Sequence, residues 1–224
     1  MPSRKTFFVS RETYHIYNRS IEQQPIFSNK LNSKRILELI DYYRFKDNPL
    51  RFSHYNRLPA QNKNNYLDSL YASPEKIKIF SFSIMPSHYH FLIRQELDHG
   101  IIDFIRLLQN SYAKYFNIKN RRNGPLFQGP FKGIRVESEE QFTHLSRYIH
   151  LNPLSSYVLK QEKELKDYKL NSYMDYISGS PRPFIETEAI MGFFKSKKDY
   201  QKFVFNRLDY QRKLERIKHL VLED

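Results

Sequence analysis

Phe80-Ser-Phe-Ser-Ile-Met-Pro-Ser-His-Tyr-His-Phe-Leu-Ile93 is an apolar run broken once, at Pro86-Ser87. On either side the residues are aromatic, β-branched or aliphatic, which predicts two strands, about 76–84 and 88–94, joined by a bend. The second strand carries His88 and His90. Residues two apart leave the same face of a strand, so the two imidazoles stand side by side. Neighbouring neutral imidazoles offer a half-site for a divalent cation. A satisfied, half-buried histidine pair gives the same pattern, and the pair alone does not choose between these readings.

Working outward, Thr13–Tyr17 reads as a first strand that ends at the polar Asn18-Arg19-Ser20. Residues 29–45 place Leu31, Ile36, Leu39, Ile40 and Tyr43 near helical spacing. Residues 46–74 are polar, Asn-rich and cut by Pro49, Pro59 and Pro74, which predicts a long insertion with at most a short helix near 66–71. From Gly100 onward, Ile101, Ile105, Leu108, Tyr112 and Phe116 form the stripe of an amphipathic helix. A basic loop, 117–129, leads to a fourth strand at 131–136. Ser138 then opens a helix with Gln141 three residues on, a capping pattern. That helix should stop at Asn152, because a proline disfavours helical backbone in the residue before it.

The order β-α-β-β-α-β, followed by a helix, predicts an α+β fold: a ferredoxin-like (RRM-like) antiparallel sheet with helices on one face. Residues 1–155 form the expected catalytic unit, with its insertion at about 46–74. Residues 156–224 form an extension ending in a basic helical tail, about 197–222.

The charge balance is lopsided. Lys and Arg number 37 against 24 Asp and Glu, a net charge of +13, with a pI near 9.7. Such an excess points to a polyanionic partner. No apolar run approaches the ~20 residues of a membrane span, and the opening Met-Pro-Ser-Arg-Lys-Thr lacks a signal-peptide core. With no cysteine, disulfides and thiolate ligands are excluded; this fits a reducing cytoplasm and leaves only nitrogen and oxygen donors for a metal. Tyr112, Tyr115, Phe116, Phe127 and Phe131 interleave with Lys114, Lys119, Arg121, Arg122, Lys132 and Arg135. Aromatic faces stack bases while cations track the backbone, the pattern of a single-strand binder. Core packing competes for the aromatics, and the loop cations 119–122 are the least tied to a core.

The helix after the fourth strand reads His144-Leu-Ser-Arg-Tyr148-Ile-His-Leu-Asn152-Pro153. Tyr148 and Asn152, four apart, share a helical face. Simple packing explains a lone tyrosine, and a helix cap explains a lone asparagine before proline. Together with Tyr14-His-Ile-Tyr-Asn-Arg-Ser20, Ile84-Met-Pro-Ser-His-Tyr-His-Phe-Leu-Ile93, Ser111-Tyr-Ala-Lys-Tyr-Phe116, Gly124-Pro-Leu-Phe-Gln-Gly129 and Ser146-Arg-Tyr-Ile-His-Leu-Asn-Pro153, the chain resembles the single-tyrosine HUH transposases. Within that IS200/IS605-like class it is most similar to the REP-associated tyrosine transposases. Pro130 departs from the pattern, standing where Arg is common after Phe-Gln-Gly.

The resemblance implies that His88 and His90 hold a metal, with Asn152 as a third ligand, and that Tyr148 is the nucleophile. It implies Mg²⁺ or Mn²⁺ as cofactor, since the nitrogen and oxygen set suits them in the cell. His150 and His144 are candidates for moving protons, and Asn18 and Arg19 join the expected DNA contacts. The implied activity is nicking and transfer of single-stranded DNA near a hairpin through a 5′-phosphotyrosine link, in a prokaryotic cytoplasm at the nucleoid. A homodimer exchanging the tyrosine helix and a monomer acting in cis both stay open. Two rivals remain: a non-catalytic single-strand binding module, and a nuclease whose nucleophile is water.

Overall fold

Strand β1 (Thr13–Arg19) sends Thr13, His15, Tyr17 and Arg19 to one side and Tyr14, Ile16 and Asn18 to the other. The computed structural model describes residues 7–213, and within them β1 lies inside a four-stranded sheet with β2 (Ile77–Ile84), β3 (His88–Gln95) and β4 (Lys132–Arg135). The order is β2-β3-β1-β4, antiparallel throughout. That is the predicted ferredoxin-like sheet.

The register decides what shares a face. Tyr17 lies opposite His90 on one side and Lys132 on the other; Arg19 lies opposite His88, and His15 opposite Ile134. The histidine face therefore carries His88, His90, His15, Tyr17, Arg19, Lys132 and Ile134. The reverse face carries Tyr14, Ile16, Phe91 and Ile93, all fully buried. Helices α1 (Lys30–Tyr43) and α4 (Gly100–Lys119) pack on each other and cover this reverse face. Phe104 of α4 meets Phe91, and Gln109 donates to the Tyr89 hydroxyl at 2.7 Å. On β4, Gly133 permits a close approach: a Cβ there would lie 2.7 Å from the Phe8 ring and 2.9 Å from Ile16.

The segment 46–74 is more ordered than its composition suggests. It holds α2 (Phe52–Tyr55) and a full helix α3 (Ala60–Tyr71), where only a short helix near 66–71 is expected from sequence. Pro59, which weakens a helical reading, sits at the N-cap, where its fixed φ and missing N–H cost nothing. The helix is held from outside: the Tyr42 and Tyr66 hydroxyls lie 2.9 Å apart, and Tyr42, Phe52, Tyr55 and Tyr66 form one aromatic cluster.

Helix α5 (Glu139–Ser155) lies on the histidine face, against β2 and β3. Ser138 caps it by accepting from the Gln141 N–H at 3.1 Å, as its pattern predicts. Its end differs from expectation, since α5 runs through Pro153 to Ser155 instead of stopping at Asn152. The extension that follows folds back on this helix and on the outer edge of β2. Asn171 bridges to Ser83, Ile185 bridges to Ile79, and α6 (Tyr173–Ile177), α7 (Glu188–Met191) and α8 (Lys197–Phe205) add buried Tyr173, Tyr176, Ile190, Tyr200 and Val204 to one continuous core. Covering a sheet edge in this way also blocks stray strand pairing. The change in sequence character at 155 thus leaves the buried core unbroken. Arg216 and Lys218, at the end of the expected basic tail, lie outside the described residues.

Candidate active site

His88 and His90 leave β3 on the face that β1 and α5 share. Their rings lie 5.4 Å apart, edge to face. Tyr148 comes from the middle of α5, half-buried, and its ring stands edge-on to His90 at 5.8 Å and to His15 at 6.0 Å between centroids. A helix laid across β2 and β3 thus brings its tyrosine to the histidines of the same chain. Tyr17 completes the cluster, nearly parallel to His90 with ring centroids 5.8 Å apart.

His15 belongs to this group and escapes the sequence reading, although it lies in a quoted motif. The period of two along Thr13, His15, Tyr17 and Arg19 is the signal that finds it. Its Nε2 lies 2.9 Å from His90 Nδ1. His88 Nδ1 lies 3.2 Å from Ser87 Oγ. Each Nδ1 of the pair therefore faces a second group, the arrangement in which an imidazole presents Nε2 to a cation. Asn152 sits one turn below Tyr148. Its Oδ1 accepts from Gln211 at a long 3.4 Å, and its buried Nδ2 meets no hydrogen-bond partner among the described residues. Two imidazoles with the amide oxygen of Asn152 would make a mixed nitrogen and oxygen donor set of a kind that divalent ions accept. Among the described residues no three His, Asp or Glu converge on one point; any such ion would need the amide or other oxygen donors.

His150 is not a member of the site. It is fully buried, and burial, with Arg182 nearby, holds its pKa down to about 3. Both ring nitrogens are engaged: Nε2 lies 2.8 Å from Ser172 Oγ, which also accepts from the Phe82 N–H at 2.8 Å, and Nδ1 lies 2.8 Å from the Tyr200 hydroxyl. This neutral imidazole ties α5 to β2 and α8, and it moves no proton at the cleft. His144 is exposed and rests against Phe203 of α8.

The expected DNA contacts divide by location. Arg19 and Lys132 are exposed on the histidine face, where Ile134 is 50% exposed and Tyr17 half-buried. Among the described residues this half of the sheet, over β1 and β4, is open. Asn18 points to the reverse face, buried, with its Oδ1 accepting from the Arg19 N–H. Lys114 is exposed on α4, behind the sheet. Lys119 donates to Asn29 and Asn32 at the start of α1, and Arg122 donates to Asn117 and to Pro125 O, tying its own loop. Arg121 is exposed in a left-handed turn of that loop, with φ 51°. Arg135 pairs with Glu12 at 2.7 Å. Of the aromatics, Tyr112, Phe116 and Phe131 are core. In the extension, Arg212 donates to Leu154 O and Lys160 O, so it serves the fold.

Residues 60–152 match the family model described as IS200-like transposase. The match spans α3 through α5 and takes in His88, His90, Tyr148 and Asn152. Among solved structures, a REP-associated tyrosine transposase bound to a REP hairpin aligns at a TM-score of 0.56 and 12% identity, over 85% of this chain and 93% of that one. A transposase-like protein from Deinococcus radiodurans R1 aligns at a TM-score of 0.36 and 14% identity, over 66% of this chain and 95% of that one. The first shares the fold; the second carries no argument. No curated protein sequence matches at a significant level. No helix among the described residues is long and apolar enough to cross a membrane.

Proposed function

We propose that this chain is an IS200-like transposase and that it nicks and rejoins single-stranded DNA with Tyr148 as nucleophile. The observation that carries this reading is the packing of the Tyr148 ring against His90 and His15 on the histidine face of the sheet.

A phosphodiester resists attack because nucleophile and phosphate are both electron-rich. His88 and His90, with Asn152, would hold a divalent ion, Mg²⁺ or Mn²⁺; when bound, it offsets charge on a non-bridging oxygen and orients the phosphorus. Neutral imidazoles and an amide leave the face electropositive, and Arg19 beside His88 adds a cation for the backbone. The Tyr148 oxygen attacks phosphorus, its proton leaves to solvent, and the 3′ oxygen departs as a hydroxyl. The product is a 5′-phosphotyrosine link and a free 3′-OH. One phosphodiester replaces another, so the step needs no ATP and runs backward when a 3′-OH attacks the link. Placement of Tyr148 beside histidines of its own chain supports a site assembled in cis. A hairpin-bearing strand is the proposed substrate, in a prokaryotic cytoplasm at the nucleoid; the hairpin in the structural neighbour supports this.

The test is trapping on denaturing gels with 5′- and 3′-labelled single strands and Mn²⁺. The expected result is a protein-linked fragment that Tyr148→Phe abolishes. His88→Ala should also abolish it while binding of the same strand in EDTA stays within about threefold. Free fragments surviving Tyr148→Phe would assign the nucleophile to water, and binding with no cleavage would leave a binding module.

A further inference from the structure

We propose that His15 is a positioning residue that fixes which nitrogen of His90 faces the cation; this rests on the cation reading above. An imidazole that offers the Nε2 lone pair must carry its proton on Nδ1, and that N–H needs an acceptor. His15 Nε2 is placed to supply one, 2.9 Å from His90 Nδ1.

The environment makes this pairing consequential. Both side chains are buried, at 7% and 9% exposure, so solvent does not readily substitute as acceptor. The rings meet edge to edge, centroids 5.1 Å apart with only 19° between their planes, which holds the two nitrogens in line. The sheet register explains the fit: His90 lies opposite Tyr17, and His15 is two residues along β1 on the same face, at the diagonal position. With Nε2 accepting, the proton of His15 itself resides on Nδ1. His88 Nδ1 meets a different group, the Ser87 hydroxyl at 3.2 Å. His15 also borders Tyr148 at 6.0 Å, so the same ring sets one wall of the nucleophile's seat.

Two measurements on the full chain test this. First, Mn²⁺ affinity by titration calorimetry, without DNA, for the wild type, His15→Phe and His15→Gln. Phe keeps an aromatic ring and removes the acceptor; Gln restores an acceptor oxygen. His15→Phe should weaken Mn²⁺ binding about ten- to a hundredfold, and His15→Gln should recover most of the loss, with binding of a single strand in EDTA unchanged in both. Second, long-range ¹H–¹⁵N correlation of the wild type should show His90 protonated on Nδ1, a readout that stands even if a variant fails to fold. Equal Mn²⁺ affinity in wild type and His15→Phe overturns the proposal, as does His90 protonated on Nε2. A wild type that binds no Mn²⁺ overturns it by a different route, removing the cation reading on which it rests.

Discussion

Asn171 Nδ2 lies 3.3 Å from the carbonyl oxygen of Ile149 and 3.2 Å from that of His150, inside the helix that carries Tyr148. The first of these oxygens is the acceptor that Pro153 strands, because proline has no N–H to return to the residue four before it. An amide with two hydrogens fills the gap, which is why α5 runs past Asn152. Asn171→Leu should therefore cost about 1–3 kcal/mol, the penalty of a buried acceptor left unpaired. Pro153→Ala restores an N–H, so the same change in that background should cost less. Denaturant titrations of the four proteins give the coupling, expected to exceed about 0.5 kcal/mol. Additive losses would mean that Asn171 serves some other partner.

His150 gives the fold a pH dependence. Its folded pKa is held to about 3 by burial, against about 6.5 in an unfolded chain. Below pH 6.5 the unfolded state therefore takes up a proton that the folded state refuses, and stability falls as pH drops toward 3. The slope from this one group approaches at most about 1.4 kcal/mol per pH unit. Thermal melts between pH 7 and 4 should show wild-type stability declining, and His150→Phe, though less stable at pH 7, should decline less steeply. Parallel slopes would show that carboxylates alone set the acid limit. Tyr200→Phe should also lower stability at pH 7, since it leaves His150 Nδ1 buried without its hydrogen-bond partner.

Much of this is legible in the sequence alone. The alternation around His88 and His90, the stripe from Ile101 to Phe116 and the Ser138 cap are local patterns, and each reports its own element. Legibility ended where a tertiary partner overrides a local rule. Pro153 stops a helix unless something replaces its N–H, and Asn171, eighteen residues on, is invisible to any local window. The polar sequence 46–74 looks unstructured until Tyr42, on α1, supplies the surface that α3 needs. His150 reads as a proton carrier beside Tyr148 because adjacent residues seem to share a site. On a helix they point about 100° apart per step, so two steps on from Tyr148 it faces the core. His15 is the converse case, remote in sequence from His90 and beside it through strand register alone.

The sorting of cations by face yields a prediction about DNA. Arg19 and Lys132 stand exposed on the histidine face, opposite His88 and Tyr17 across the strands, whereas Lys119 and Arg122 spend their donors on Asn29, Asn32, Asn117 and Pro125. A cation that neutralises one phosphate of a single strand contributes about 0.7 to the slope of log K against log salt. Arg19→Gln and Lys132→Gln should each weaken binding and flatten that slope by about this amount, with melting temperature unchanged within a degree or two. Lys119→Gln and Arg122→Gln should do the reverse, lowering melting temperature by a few degrees while leaving the salt slope intact. Filter binding across a salt series, paired with thermal melts, separates the two classes. A slope insensitive to Arg19 and Lys132 would move the DNA path off the open half of the sheet, and with it the approach by which a phosphate reaches Tyr148.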